Sequence, residues 1–141
     1  MLGVSTYDQD YIDKCRERVT AQVAAYEAVA AAARNGAKGG SAVDAFEPLF
    51  FNHMVLVLDA LFVHRLRNRE GKDGNPVNEV RVLSESLMEN DGVLAVPKSI
   101  KLDPERTILH HAPGDDIALD ADAFQRLAKA YFEGIEERYT D

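Results

Sequence analysis

Apolar and small residues recur at Ile12, Cys15, Val19, Val23, Tyr26, Val29 and Ala33, the three-and-four spacing of one helical face, and predict a long amphipathic helix from about Asp8 to Arg34. Its alanine-rich second half combines high helix propensity with small side chains that let another helix come close. "NGAKGGS", Asn35 to Ser41, ends it, because Asn-Gly suits the left-handed C-terminal position and the next glycines make further helix costly. A second helix is predicted to start properly at Pro48, with "SAVDAFE" as an extra turn or kinked lead-in, and to run to about Asn68. Asn75 then caps a third helix with Pro76 in its first position and Val77, Val80, Leu83, Leu87 and Met88 on one face; "NDG", Asn90 to Gly92, stops it.

From Val93 to Leu119 the pattern changes. Pro97, Pro104 and Pro113 exclude a long helix, and "SIKL", "TILH" and "DIAL" alternate as short strands do, so a small β-hairpin or meander is expected. The last segment has Asp120 and Asp122 as candidate caps. It sets Phe124, Leu127, Tyr131 and Ile135 on one helical face, against Lys129, Glu133, Glu136 and Glu137 on the other. The expected fold is mainly α: one domain over residues 1–141, a bundle of about four helices with the small β element before the C-terminal helix.

The second helix carries the unusual chemistry. "LFFNHMVLVLDALFVHRLR", Leu49 to Arg67, is apolar almost all round, so it wants cover on every side, from its own chain or from a second subunit. Four polar residues interrupt it: Asn52 and Asp59 lie along one line of the helix, and His53 and His64 along another. The two histidines are separated by about 16 Å of helix at ~1.5 Å per residue, which forbids one metal ion between them. The leading expectation is that Asn52, His53 and Asp59 tie helices together through hydrogen bonds, since buried polar groups are costly unless paired. Asp59 would then meet a donor such as His53, Arg65 or Arg81. The alternatives are a ligand pocket where this helix meets the third one, with Asn52, His53, Asp59, Asn78, Glu79 and Arg81 as its candidate residues, and a hydrolytic or metal-assisted enzyme using His53 and Asp59.

Composition narrows the classes. The chain has 141 residues, 46% of them hydrophobic, enough for a core without disulfides or metal. A net charge of −8 argues against broad attraction to nucleic acid or anionic lipid. The one local exception is "HRLRNREGK", where Arg65, Arg67, Arg69 and Lys72 make nucleic-acid contact a weaker alternative; the plainer reading is a helix C-terminus complemented by cations. Cys15 is the single cysteine, so neither an internal disulfide nor a Cys-x-x-Cys pair exists. The first ten residues lack the charge-then-apolar order of a signal peptide, and polar residues break the second helix as a membrane span, so a cytoplasmic protein with no membrane partner is expected.

No Glu-x-x-His, Gly-x-Ser-x-Gly or Gly-x-Gly-x-x-Gly occurs, and no phosphate loop, because the Lys of "GAKGGS" lacks the following Ser or Thr. "HHAPGDD", His110 to Asp116, has metal-ligating residue types, yet around a Pro-Gly turn its two histidines would point apart and His111 would face Asp116 as an ion pair. No cofactor or metal is expected.

The blocks "FEPLFFNHMVLVLDALFVHRLR", "GKDGNPVNEVRVL" and "NDGVL" resemble a family of small uncharacterised bacterial proteins over Phe46 to Leu94, about half of the chain, through the pairing of Asn52-His53 with the Gly74-Asn75-Pro76 turn. That resemblance implies one compact domain and brings no activity with it. The functional expectation is a noncatalytic homodimeric interaction or small-ligand-binding module.

Overall fold

A computed structural model describes residues 3–141. The helices are α1 (Gln9–Arg34), α2 (Gly39–Leu61), the short α3 (Arg67–Glu70), α4 (Pro76–Glu89) and α5 (Ala121–Tyr139). α2 and α5 each pack on α1, on α4 and on one another. The mainly helical class stands, and α1 and α5 follow the predicted faces: Ile12, Cys15, Val19, Val23 and Tyr26 are buried, as are Phe124, Leu127, Tyr131 and Ile135. Val29, placed on the same face of α1 by spacing, is instead 66% exposed.

Three boundaries differ from the pattern. α2 is one helix from Gly39, with Pro48 inside it. A proline at 48 removes only the bond to the carbonyl of Asp44, an exposed residue whose oxygen can meet water, and burial of Val43 holds the turns before it. Gly39 itself sits so close to the Ala33 carbonyl that a Cβ would lie 1.7 Å from the oxygen, and so allows the tight α1–α2 connection. At its other end α2 stops at Leu61 rather than near Asn68. The chain turns out to pair with the N-terminal segment: Val4 N donates to His64 O at 2.7 Å and Leu66 N to Val4 O at 2.9 Å. That turn carries Arg65 into the interior.

The expected β-hairpin does not form. Among the described residues there is no strand, and residues 93–119 make a single antiparallel bridge, Val93 with Asp116. This segment is a strap laid across the bundle; its ends pair briefly through Leu94 N to Asp115 O and Ile117 N to Gly92 O, and helix side chains satisfy further backbone groups between and beyond them. Ala95 N donates to Ser86 Oγ at 3.0 Å, Ile108 N and Leu109 N to Glu79, Leu119 N to Asn52 Oδ1 at 3.1 Å, and Ala121 N to Glu47 Oε2 at 2.8 Å. His111 does not pair with Asp116 here; its ring is half-buried, and burial pushes its pKa down.

α4 begins where sequence placed it. Asn75 Oδ1 accepts from Val77 N at 2.9 Å and Asn78 N at 3.1 Å, while Asn75 Nδ2 donates to Glu70 O at 2.7 Å. The same side chain therefore caps α4 and anchors the end of α3. Just before it, Gly74 has φ 85° and lies against the backbone of Lys101, where a Cβ would approach the carbonyl oxygen to 2.1 Å. Replacing Asn75 with alanine is expected to lower stability by about 2 kcal/mol, above an ordinary cap loss, because a buried carbonyl loses its partner as well. Urea denaturation checks it.

Candidate functional site

The six residues singled out in the sequence do not converge on one pocket; each has a definable neighbourhood. Asn52 is a polar tie. Its Nδ2 donates to Ile117 O at 2.9 Å while its Oδ1 accepts from Leu119 N, so one amide replaces two ladder bonds for the strap. Glu79, 3% exposed, does the same from α4, accepting from Ile108 N at 2.8 Å and Leu109 N at 3.0 Å. Burial pushes the Glu79 carboxyl above its ordinary value, against the two N–H groups and nearby His110.

Asp59, Asn78 and Arg81 meet in a buried ionic cluster whose centre is Glu70, a residue with no exposed surface. Glu70 accepts from Arg65 Nε at 3.0 Å, Asn78 Nδ2 at 2.6 Å and Arg81 Nε at 2.8 Å. Arg65 also reaches Asp59 Oδ1 and Phe62 O, each at 3.0 Å. The guanidinium thus joins the end of α2 to α3, and Arg81 and Asn78 join α3 to α4. Of the donors considered for Asp59, Arg65 is the one used. Arg65 is 4% exposed, so it does not belong to a solvated basic face; and Arg69 Nη1 is engaged with Ser5 O at 3.0 Å. Beside this cluster lies Tyr131, whose hydroxyl is buried without a protein partner and whose ionisation burial suppresses.

His53 stands apart. Its Nδ1 lies 2.8 Å from Leu49 O, a carbonyl that can only accept, so Nδ1 carries the proton and a neutral ring keeps its lone pair on Nε2. The ring is exposed, in a hollow of about 260 Å³ between α2 and the end of α4, lined also by Leu49, Asn52, Leu56, Met88 and Asp91. Asp59 is not in that hollow. It lies six residues and about 9 Å along the helix, a third of a turn away, bound to Arg65. Met88, read as core, is 69% exposed at the hollow's edge. Among the described residues no group of three or more His, Cys, Asp or Glu side chains is placed to hold a metal.

The larger opening lies on the other flank of α2. A groove of about 470 Å³ runs between α1 and α2, walled by Tyr26, Val29, Phe46, Phe50, Met54 and Val57. Tyr26 closes its depth by donating to Glu47; burial and that bond push the tyrosine pKa to about 12. Gln22 Oε1 is buried at the groove with no donor.

These two openings share a wall. At about 100° per residue, Leu56, Leu49, Ala60, His53, Phe46, Val57 and Phe50 fall within an arc of about 120°, opposite the core residues Phe51, Val55, Leu58 and Phe62. Leu49 is 62% and Phe46 49% exposed. This outer face is therefore apolar with His53 at its middle. α2 is the one described helix with the length and composition of a membrane span, yet only 28% of its most apolar window is buried in the fold. Sequence periodicity found the helix and its all-round apolarity. It missed Glu70 as the buried centre of the cluster, because a short charged run looks solvated until the turn after α2 folds it inward, and Glu47 as a partner of Tyr26 and Ala121.

No protein-family model, curated protein or solved structure matches this chain.

Two outcomes follow from these neighbourhoods. Glu70→Ala leaves two guanidinium groups and an amide without their shared acceptor, and is expected to cost about 3–5 kcal/mol in chemical denaturation. Glu79→Gln keeps one acceptor and loses the other, for about 1–3 kcal/mol at acid pH. Because the folded chain holds the Glu79 proton more tightly than the unfolded chain, its contribution is full below the ordinary value of 4.5 and declines as pH rises through the raised one. The stability gap between wild type and Glu79→Gln should therefore narrow with rising pH, measured by urea titrations from pH 4 upward.

Proposed function

We propose that this protein is a noncatalytic interaction module that works as a homodimer, its outer α2 face covered by a second copy. The observation that carries the reading is the uncovered apolar arc of α2, flanked by the α1 groove on one side and the α4 hollow on the other. Val29 and Phe46 at the groove and Leu49 at the hollow are exposed apolar side chains on this face. A two-fold axis would seat these side chains of each copy in the groove and hollow of the other.

The near absence of charge on the face suits its burial against another apolar surface. The arc from Phe46 to Ala60 extends about 21 Å, and with a flank on each side about 20 Å wide it offers roughly 400 Å² per copy, half the ~800 Å² of standard stable interfaces. Its lining includes one imidazole and, at the margin, Asp91 as the only full charge. The separation of His53 from Asp59 supports the noncatalytic part of the reading.

A second reading rests on Gln22. A small apolar ligand carrying one hydrogen-bond donor would fill the α1–α2 groove and satisfy Gln22 Oε1.

Light scattering should give twice the 15.6 kDa chain mass for wild type at micromolar concentration. Leu49→Glu, at a position 62% exposed, should change folding stability by less than about 0.5 kcal/mol and weaken association at least tenfold. A monomeric wild type at high concentration would remove the dimer and leave the groove to a ligand.

A further inference from the structure

We infer that the α1–α2 groove takes a small, neutral, flat aromatic molecule that carries one hydroxyl or N–H group. The inference rests on the ligand reading of that groove above. The space comes from the sequence. Where α1 passes the ring-bearing turns of α2 it presents Ala25 and Ala30, and side chains this small leave a groove of about 470 Å³ unfilled, inside the ~300–1,000 Å³ range of ligand pockets. Met54 stands at the wall as well, an unbranched side chain that can adjust to the outline of a guest.

The wall selects the guest. Among the described residues no Lys, Arg, His, Asp or Glu lines the groove, so a carboxylate or an ammonium would leave water with no opposite charge to meet it. The guest is therefore neutral. Tyr26 and Phe50 have ring centroids 5.4 Å apart and planes within 19°, and Tyr26 and Phe46 are 6.5 Å apart and within 20°. Near-parallel rings accept a further ring in an offset stack, whereas a saturated guest of the same outline gains the burial without that added attraction. The polar side chains at the wall are Tyr26 and Gln22. The tyrosine hydroxyl is engaged by Glu47, which leaves Gln22 Oε1, buried with no donor. The last torsion of a glutamine is soft, so its amide can turn to a molecule in the groove. An amide oxygen only accepts, so the group it lacks is an O–H or N–H on the guest.

The test is isothermal titration calorimetry near neutral pH with naphthol, with its methyl ether, which lacks the donor, and with decahydronaphthol, which keeps the hydroxyl and lacks the aromatic rings. Each is titrated into wild type, Gln22→Leu and Ala25→Phe. Ala25 is exposed and Gln22 half-buried, and circular dichroism of each variant shows that the fold persists. Wild type should bind naphthol, and bind the ether and the saturated alcohol each about tenfold more weakly. Gln22→Leu should bring naphthol and its ether to one affinity and leave decahydronaphthol weaker; Ala25→Phe, which fills the groove, should abolish binding of all the probes. Equal affinity of wild type for naphthol and decahydronaphthol overturns the aromatic assignment and leaves the groove standing as a ligand site. A Gln22→Leu protein that still prefers naphthol to its ether overturns the hydrogen bond to Gln22. A wild type that binds none of the probes, or an Ala25→Phe protein that binds naphthol as wild type does, overturns the ligand reading of the groove and this inference with it.

Discussion

Backbone N–H and C=O groups removed from water must find partners, and residues 93–119, with one short bridge and a few turns of their own, do not supply them all. The strap meets the remainder with side chains borrowed from the bundle. Ser86 and Glu79 serve it from α4 and Asn52 from α2, in the order in which the strap passes them, and Glu47 of α2 then takes the first amide of α5. Its apolar side chains Leu94, Ile100, Ile117 and Leu119 can then be buried, because the backbone between them is bonded. Polar residues inside apolar helices are in this fold the receptors that let an irregular segment close the core.

The ionic cluster solves a related problem at the opposite end of α2. Three elements, the α2 exit, α3 and the α4 start, meet there. Glu70 fixes them through directional bonds to Arg65, Asn78 and Arg81. Such a cluster adds little over a well-packed apolar substitute, but losing one member strands charges in the interior. It therefore specifies the geometry of the corner more than it adds to the net stability, and Asn75 links that corner to the α4 cap.

Much of this was legible in the sequence. The long periodic segments gave α1, α4 and α5, and the Asn75-Pro76 start of α4 holds to the residue. The leading expectation for Asn52 and Asp59, ties between helices, is met only as hydrogen bonding: Asn52 ties α2 to the strap, and Asp59 holds Arg65 in the turn that follows its own helix. His53 is not such a tie between helices: its one protein bond is to its own helix. What spacing could not show is the alternative to a β-ladder. "TILH" and "DIAL" alternate as strands do, but alternation records only which side chains face inward and is blind to whether the backbone partner is a strand or a glutamate. Nor could spacing show that the all-round apolarity of α2 divides into a covered inner face and an uncovered outer one, a division set by where α1 and α4 lie.

The account stands on the claim that helix side chains hold the strap's backbone. Amide hydrogen exchange of the intact protein, read residue by residue by NMR, tests it most directly. The amides of Ile108, Leu109 and Leu119 lie outside every helix, yet should exchange nearly as slowly as those of core residues in α2 and α4. Exchange of these three at the rate of an open loop, with the helices still protected, would contradict it.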